Sequence, residues 1–254
     1  SDTTKAASPI KLLVATDNAQ LILMDEDTQT GARVVHVSPD AGTAAGGPVE
    51  VFATSTALPV SPTELIDAFS YTEIVPAADT YVGVPAGDYI FDVAPDTNSI
   101  GDSVYTSPSL PLAQGSESTV VAAGYVLTSP AFGLLATEDQ NRSVATQASV
   151  KVIHAAPAAG AVDVYVTAAG EFSPAEVENG IAGAPLLDNF EFAEITDYVA
   201  VTPGNYDIRV VAGGTTAINV ENFNLAAGSV STLIAREPID SGTPSDFNVV
   251  VLTN

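Results

Sequence analysis

Short runs of alternating apolar and polar residues dominate the chain. Val49-Glu50-Val51-Phe52 and Val162-Asp163-Val164-Tyr165 interleave apolar side chains with acids. That period of two is the signature of a strand with one buried and one wet face. Turn residues punctuate the runs. Pro85-Ala86-Gly87 and Thr202-Pro203-Gly204 read as tight turns, because Pro presets φ and Gly accepts a positive one. Tyr89 to Val93 and Tyr206 to Val210 resume the strand. Leu112 to Gly115 and Leu225 to Gly228 turn again before Val120-Val121 and Leu233-Ile234. Short strands at regular turn spacing predict β-sandwiches. Two segments break the rhythm. Ser61-Pro62-Thr63-Glu64 and Ser173-Pro174-Ala175-Glu176 each place Ser at N-cap, Pro at N1 and Glu at N3. That capping box predicts one short helix in each half.

The halves are copies of one another, which is the strongest signal in the chain. Arg33-Val34-Val35-His36-Val37-Ser38-Pro39 matches Lys151-Val152-Ile153-His154-Ala155-Ala156-Pro157. Phe69 to Ile74 matches Phe190 to Ile195, and Leu112 to Thr119 matches Leu225 to Thr232. The offset is 118 at the histidines and 117 at Gly87 and Gly204. The expected organisation is a strand or hairpin extension over residues 1–31, a first repeat over 32–138 and a second over 149–254, with a linker near Asp139 to Ala148. The expected fold is all-β: two tandem Ig-like antiparallel β-sandwich domains, each with one short helix, plus the N-terminal strand extension.

Val34-Val35-His36-Val37-Ser38-Pro39-Asp40 followed by Val49-Glu50-Val51-Phe52 resembles the opening of a bacterial domain-of-unknown-function family, number 4397. Val152-Ile153-His154-Ala155-Ala156-Pro157 with Ala161-Val162-Asp163-Val164-Tyr165 resembles it more closely. The Pro/Gly turns followed by Tyr89 and Tyr206 are similar to it as well. The resemblance spans roughly 32–136 and 149–253. It implies tandem β-sandwiches on exported or surface-anchored bacterial proteins, with no catalytic activity. The first copy departs from the pattern through the insert Ala41 to Pro48.

The extension carries Ile10-Lys11-Leu12-Leu13-Val14-Ala15-Thr16-Asp17-Asn18, a strand followed by a turn, which resembles the closing strands Gly133 to Asp139 and Asn248 to Asn254. Gln20 to Met24 offers a second strand. The chain thus begins with something like the last strand of a copy that is not there. Two arrangements follow. The segment folds back as a hairpin over an edge of its own first domain, or Ile10, Leu12, Leu13 and Val14 form an assembly strand that docks on a neighbour. Docking of that kind is head-to-tail and does not close, so it builds a filament.

Charge narrows the choice of partners. Thirty-one acids against seven bases give a net charge of −24. The bases are scattered, so no stripe exists to hold a nucleic-acid backbone, and an anionic membrane surface repels the chain. With 46% hydrophobic residues the sequence still reads as folded. The uncharged run Ser118 to Thr137 raises the question of a membrane span, but Gly124, Ser129-Pro130 and Gly133 divide it into short strands. Ser1-Asp2-Thr3-Thr4 reads as a mature or trimmed start. Without cysteine there is no disulfide, thiolate zinc site or thiol nucleophile.

Few residues suggest chemistry. His36 and His154 are the only histidines, at equivalent positions, and read as structural. Glu73 and Glu194 also correspond, and nothing pairs them with a second acid across a groove. Asp25 and Asp27, and Asp96 and Asp102, sit in oxygen-rich loops with a faint calcium-site pattern that lacks the distal glutamate of an EF-hand. Solvated loops are the default reading, with no cofactor expected beyond this weak calcium signal. The expected function is a non-enzymatic, secreted or cell-surface structural or assembly protein. The rival expectation is a monomeric binding module for a surface glycan or protein ligand.

Overall fold

The computed structural model describes residues 12–15, 20–24, 28–42, 48–56, 61–238 and 247–254. β1 (Leu12–Ala15) and β2 (Gln20–Leu23) pair with each other in an antiparallel two-stranded sheet. The first repeat contributes β3 (Thr30–His36), β4 (Val49–Ser55), β5 (Thr63–Phe69), β6 (Ile74–Val75), β7 (Val82–Val84), β8 (Gly87–Pro95), β9 (Tyr105–Thr106), β10 (Leu110–Leu112), β11 (Glu117–Ala123) and β12 (Gly133–Glu138). One sheet runs β10-β8-β4-β5 with β9 beside β8. The other runs β12-β11-β3-β6 with β7 also on β3.

The second repeat contributes β13 (Ala148–His154), β14 (Val162–Ala168), α1 (Pro174–Glu178), β15 (Leu187–Phe190), β16 (Val199–Val201), β17 (Gly204–Ala212), β18 (Thr215–Leu225), β19 (Val230–Arg236) and β20 (Asn248–Thr253). Its sheets run β16-β13-β19-β20 and β15-β14-β17-β18. Alternation fills each sandwich as the sequence predicts. Val49, Val51 and Ala53 of β4 meet Ala122 of β11 in the first core, and Val162 and Val164 of β14 meet Leu233 of β19 in the second.

Two expectations need correction. The sandwiches are not purely antiparallel, because β3 runs parallel to β11 and β13 parallel to β19. Among the described residues an α-helix also forms only in the second repeat. There Ser173 caps α1 with both halves of the capping box made. In the first repeat Thr63-Glu64 already belongs to edge strand β5. Phe69 follows Ser61 by only eight residues, whereas Phe190 follows Ser173 by seventeen. Both phenylalanines are core anchors paired with the preceding strand, Phe69 opposite Val49 and Phe190 opposite Val162. The shorter connection has no residues to spare for a helical turn, and pairing to β4 wins over the local capping signal.

The repeats share a third core. Val35, Val37, Val121 and Ala123 of the first pack on Ile153, Ile234, Val250 and Leu252 of the second. Val34 faces inward while Val35 faces the other repeat. The central strands of the two inner sheets are therefore buried on both faces, and the two repeats stack as four sheets. Each fully buried Val, Leu or Ile contributes roughly 1.5–3 kcal/mol, which couples the repeats firmly.

A polar seam borders this core, built from corresponding residues. Arg33 is fully buried. Its guanidinium meets the Asp139 carboxylate at 3.3 Å, donates to the Asn254 side-chain oxygen at 2.7 Å and to the Thr253 carbonyl at 3.2 Å, and lies 4.5 Å from the Tyr81 ring centre. Lys151, its counterpart, lies 4.3 Å from the Tyr198 ring centre and donates to the Thr137 hydroxyl at 2.5 Å and the Glu138 carbonyl at 2.6 Å. Each cation thus reaches the end of the other repeat's closing strand. Burial lowers the Lys151 ammonium below its usual range and raises the Tyr81 and Tyr198 phenols. A second contact joins the Tyr71 hydroxyl to the Glu237 carbonyl, while the Tyr125 hydroxyl and the Ala158 N–H each donate to the buried Glu237 carboxylate at 2.6 Å.

Candidate assembly site

The residues singled out for chemistry hold structural posts. The Nδ1 atoms of buried His36 and His154 accept the N–H groups of Ser38 and Ala156, each at 3.3 Å. The other ring nitrogen of His154 meets the Gly160 carbonyl at 2.7 Å. His36 packs against Phe69 and Tyr71, and His154 against Phe190 and Phe192. Burial pushes His154 below the ordinary imidazole range, against the Gly160 contact, so it is held neutral. Glu73 and Glu194 close equivalent turns by accepting the N–H of Ser70 at 2.8 Å and of Glu191 at 2.7 Å.

Among the calcium candidates, Asp25 and Asp27 lie outside the described residues. Asp102 ends a short 3₁₀ turn, Ile100–Asp102, and accepts the Thr97 hydroxyl at 2.9 Å. Asp96 stands apart from it, in the turn after β8, grouped with Glu50 and Asp67. The sequence pattern offered no hint of those two partners, since all three come from different strands or their ends.

The assembly strand falls largely on β1, although Ile10 lies outside the described residues. Leu12 and Leu13 are 60% and 58% exposed, and Leu23 on β2 is 45% exposed. Val14 pairs in register with Leu21. Among the described residues, neither strand of this hairpin hydrogen-bonds to a strand of either sandwich.

The first sandwich is open along one flank. A cavity of about 350 Å³ runs between its sheets, walled by Val51, Phe91, Val93 and Leu112. Its exposed large apolar lining residues are Leu65 on β5 and Val82 on β7, each 47% exposed, and Thr63, Pro76 and Pro85 on its rim are exposed as well. Leu65 and Val82 place the opening between two edge strands, and among the described residues no strand pairs with the outer side of β5. Leu186 and Val199 correspond to them in the second repeat and are exposed as well. Sequence reasoning did not find this groove. Its signal was an apolar residue at the outward positions of edge strands, which pattern alone does not tell from an ordinary surface leucine.

Comparison with solved structures returns weak likeness. The C-terminal domain of AlgF from P. aeruginosa is 11% identical, with 43% of this chain and 99% of that chain covered and a TM-score of 0.29. A candidate cell adhesion protein from Bacteroides uniformis is 11% identical, with 87% and 96% covered and a TM-score of 0.26. The fimbrial anchor protein Mfa2 from Porphyromonas gingivalis is 12% identical, with 89% and 97% covered and a TM-score of 0.21. Scores this low do not establish a shared fold. No curated protein matches significantly. No helix among the described residues is long and apolar enough to cross a membrane. The model of the family described as Domain of unknown function (DUF4397) matches residues 30–165 and 171–254, and the chain belongs to that family.

Proposed function

We propose that the protein is a non-enzymatic structural component of the bacterial cell surface, assembled by docking the β1–β2 hairpin onto the open flank of a neighbouring copy's first sandwich. One observation carries the reading: among the described residues the hairpin exposes Leu12, Leu13 and Leu23 and pairs with neither sandwich. An isolated two-stranded hairpin is marginal in water, and a partner sheet would stabilise it. The unpaired outer side of β5 supplies backbone donors and acceptors for an added strand, and the apolar groove beside it accepts alternate side chains. The contact is heterologous, so it propagates into a filament. The structural posts of the two histidines and of Glu73 and Glu194 support a non-enzymatic role.

The test is the mass of purified protein by light scattering over a wide range of concentration and salt, with electron microscopy of the same samples. Concentration-dependent oligomers or fibres are expected, and Leu12→Glu with Leu13→Glu should return monomers. A wild-type chain that stays monomeric throughout overturns the reading. The apolar groove would then favour the second one, a monomeric module that binds an apolar segment of another protein. Titration with apolar extended peptides checks that.

A further inference from the structure

The geometry points to a calcium site in the first repeat, held by Glu50, Asp67 and Asp96. One carboxylate oxygen from each lies within 4.8 Å of the other two. Calcium binds oxygens at roughly 2.3–2.6 Å, so ligands of one ion sit no more than about 5 Å apart. Three carboxylates this close repel one another unless a cation joins them. Among the described residues the protein supplies none, since the ion pairs there are Arg33–Asp139 and Arg209–Asp207.

The fold brings the three together deliberately. Glu50 points away from the apolar core, between Val49 and Val51 on β4. Opposite it β5 bulges, so that Asp67 and Ala68 span the gap between Ile66 and Phe69, with Ala68 at φ 49°. Asp96 enters from the turn after β8, its N–H donating to the Pro48 carbonyl at 3.3 Å. Glu50 is 0% exposed. Its Oε1 accepts the Asn98 N–H at 2.5 Å, while its Oε2 is buried with no hydrogen-bond partner among the described residues. A buried carboxylate oxygen left without a donor is costly, and a hard cation between it and the two aspartates removes that cost. The donors are oxygen only, which suits calcium rather than zinc or copper.

The second repeat provides an internal control. It keeps Asp163 for Glu50 and Asp188 for Asp67, at an equivalent bulge where Asn189 takes φ 49°. There Oδ1 of the partly exposed Asp163 accepts the Asn189 N–H at 2.9 Å, and Gly213 stands where the first repeat has Asp96. The second copy lacks the third ligand, and its acid on β14 is open to water rather than sealed.

Calcium chloride titrated into the full chain by calorimetry, in physiological salt, tests this. One ion per chain is expected, at a dissociation constant of order 10⁻⁴–10⁻³ M, as in extracellular modules. Saturating calcium should raise the melting temperature by several degrees. Asp96→Gly, which copies the second repeat, and Asp67→Asn, at an exposed position, should each weaken binding at least tenfold and abolish the thermal shift. Asp188→Asn should leave both unchanged. No calcium-dependent heat or shift in the wild type overturns the site. So does wild-type affinity in Asp96→Gly and Asp67→Asn, which would assign binding to the diffuse acidic surface.

Discussion

The two repeats carry similar residues at many corresponding positions and use several of them differently. Arg33 and Lys151 both cross the seam and lie over a tyrosine, but only Arg33 meets a carboxylate. Ser173 caps a helix, while Ser61 leads into an edge strand. Asp163 is partly open to water, while Glu50 is fully buried with one oxygen unmatched. A duplicated sequence thus preserves the sheets, whose registers are fixed by burial on alternate faces. It leaves turns, edges and buried charges free to diverge, because each depends on one or two residues or on loop length.

The seam gives the largest test of that asymmetry. Arg33→Ala strands Asp139 as a buried charge without its cation, and should cost about 3–5 kcal/mol. Lys151→Ala removes hydrogen bonds to a hydroxyl and a carbonyl and leaves no carboxylate unpaired, so about 1–3 kcal/mol is expected. Urea denaturation of the two variants measures the difference. Equal costs would mean that the two cations are equivalent despite Asp139. Replacing Arg33 and Asp139 together by apolar residues should recover most of the loss.

Changing pH separates the seam from the interior of the second repeat. Burial pushes the Tyr71 phenol up to about 12 and raises Tyr81, Tyr125 and Tyr198 as well. Their folded pKa values lie above the ordinary 10.0, so the fold holds protons that the unfolded chain releases. That stability is fully present below pH 10 and is lost as pH rises through 10 towards 12. Tyr71 alone accounts for roughly 2–3 kcal/mol. Tyrosinate absorbance from these four of the eight tyrosines should therefore appear together with loss of the circular dichroism of the fold. Ionisation of all eight near pH 10 in an intact fold would show the seam to be wet. His154 has the opposite sign. Its pKa is lowered, so its contribution is present above the ordinary 6.5 and fades as pH falls below it. His154→Gln should flatten that acid limb.

Strands and their partition into two sandwiches were legible in the sequence because burial on one face writes a period of two, as in β4 and β14. The seam between repeats was written too, in a form easily misread. β11 is buried at nearly every position from Ser118 to Ala123, and β19 from Val230 to Ala235. Such unbroken runs mark strands covered on both faces, yet in the sequence Ser118 to Thr137 raised only the question of a membrane. The parallel pairing of β3 with β11 was not legible, since alternation carries no strand direction. Nor was the cluster of Glu50, Asp67 and Asp96, which a bulge and a turn assemble from residues far apart in the chain. The exposed leucines of β1 were legible as apolar, and their freedom from either sandwich was not.

The smallest test bears on the capping signal that the repeats share. In the second repeat the Ser173 hydroxyl accepts the Glu176 N–H at 3.3 Å, and the Glu176 carboxylate accepts the Ser173 N–H at 2.8 Å. Those bonds satisfy helix-end groups that otherwise depend on water, and they hold Val177, which is buried. Ser173→Ala should cost about 1 kcal/mol. Ser61→Ala should cost less than about 0.5 kcal/mol, the range of an ordinary surface substitution, because its segment enters β5 without a helix. Chemical denaturation of both variants gives the comparison. A cost at Ser61 equal to that at Ser173 would mean that the first segment also forms a capped turn, and that the eight residues to Phe69 suffice for one after all. A null effect at both would make the shared signature a relic of the duplication, with α1 held by Val177 alone.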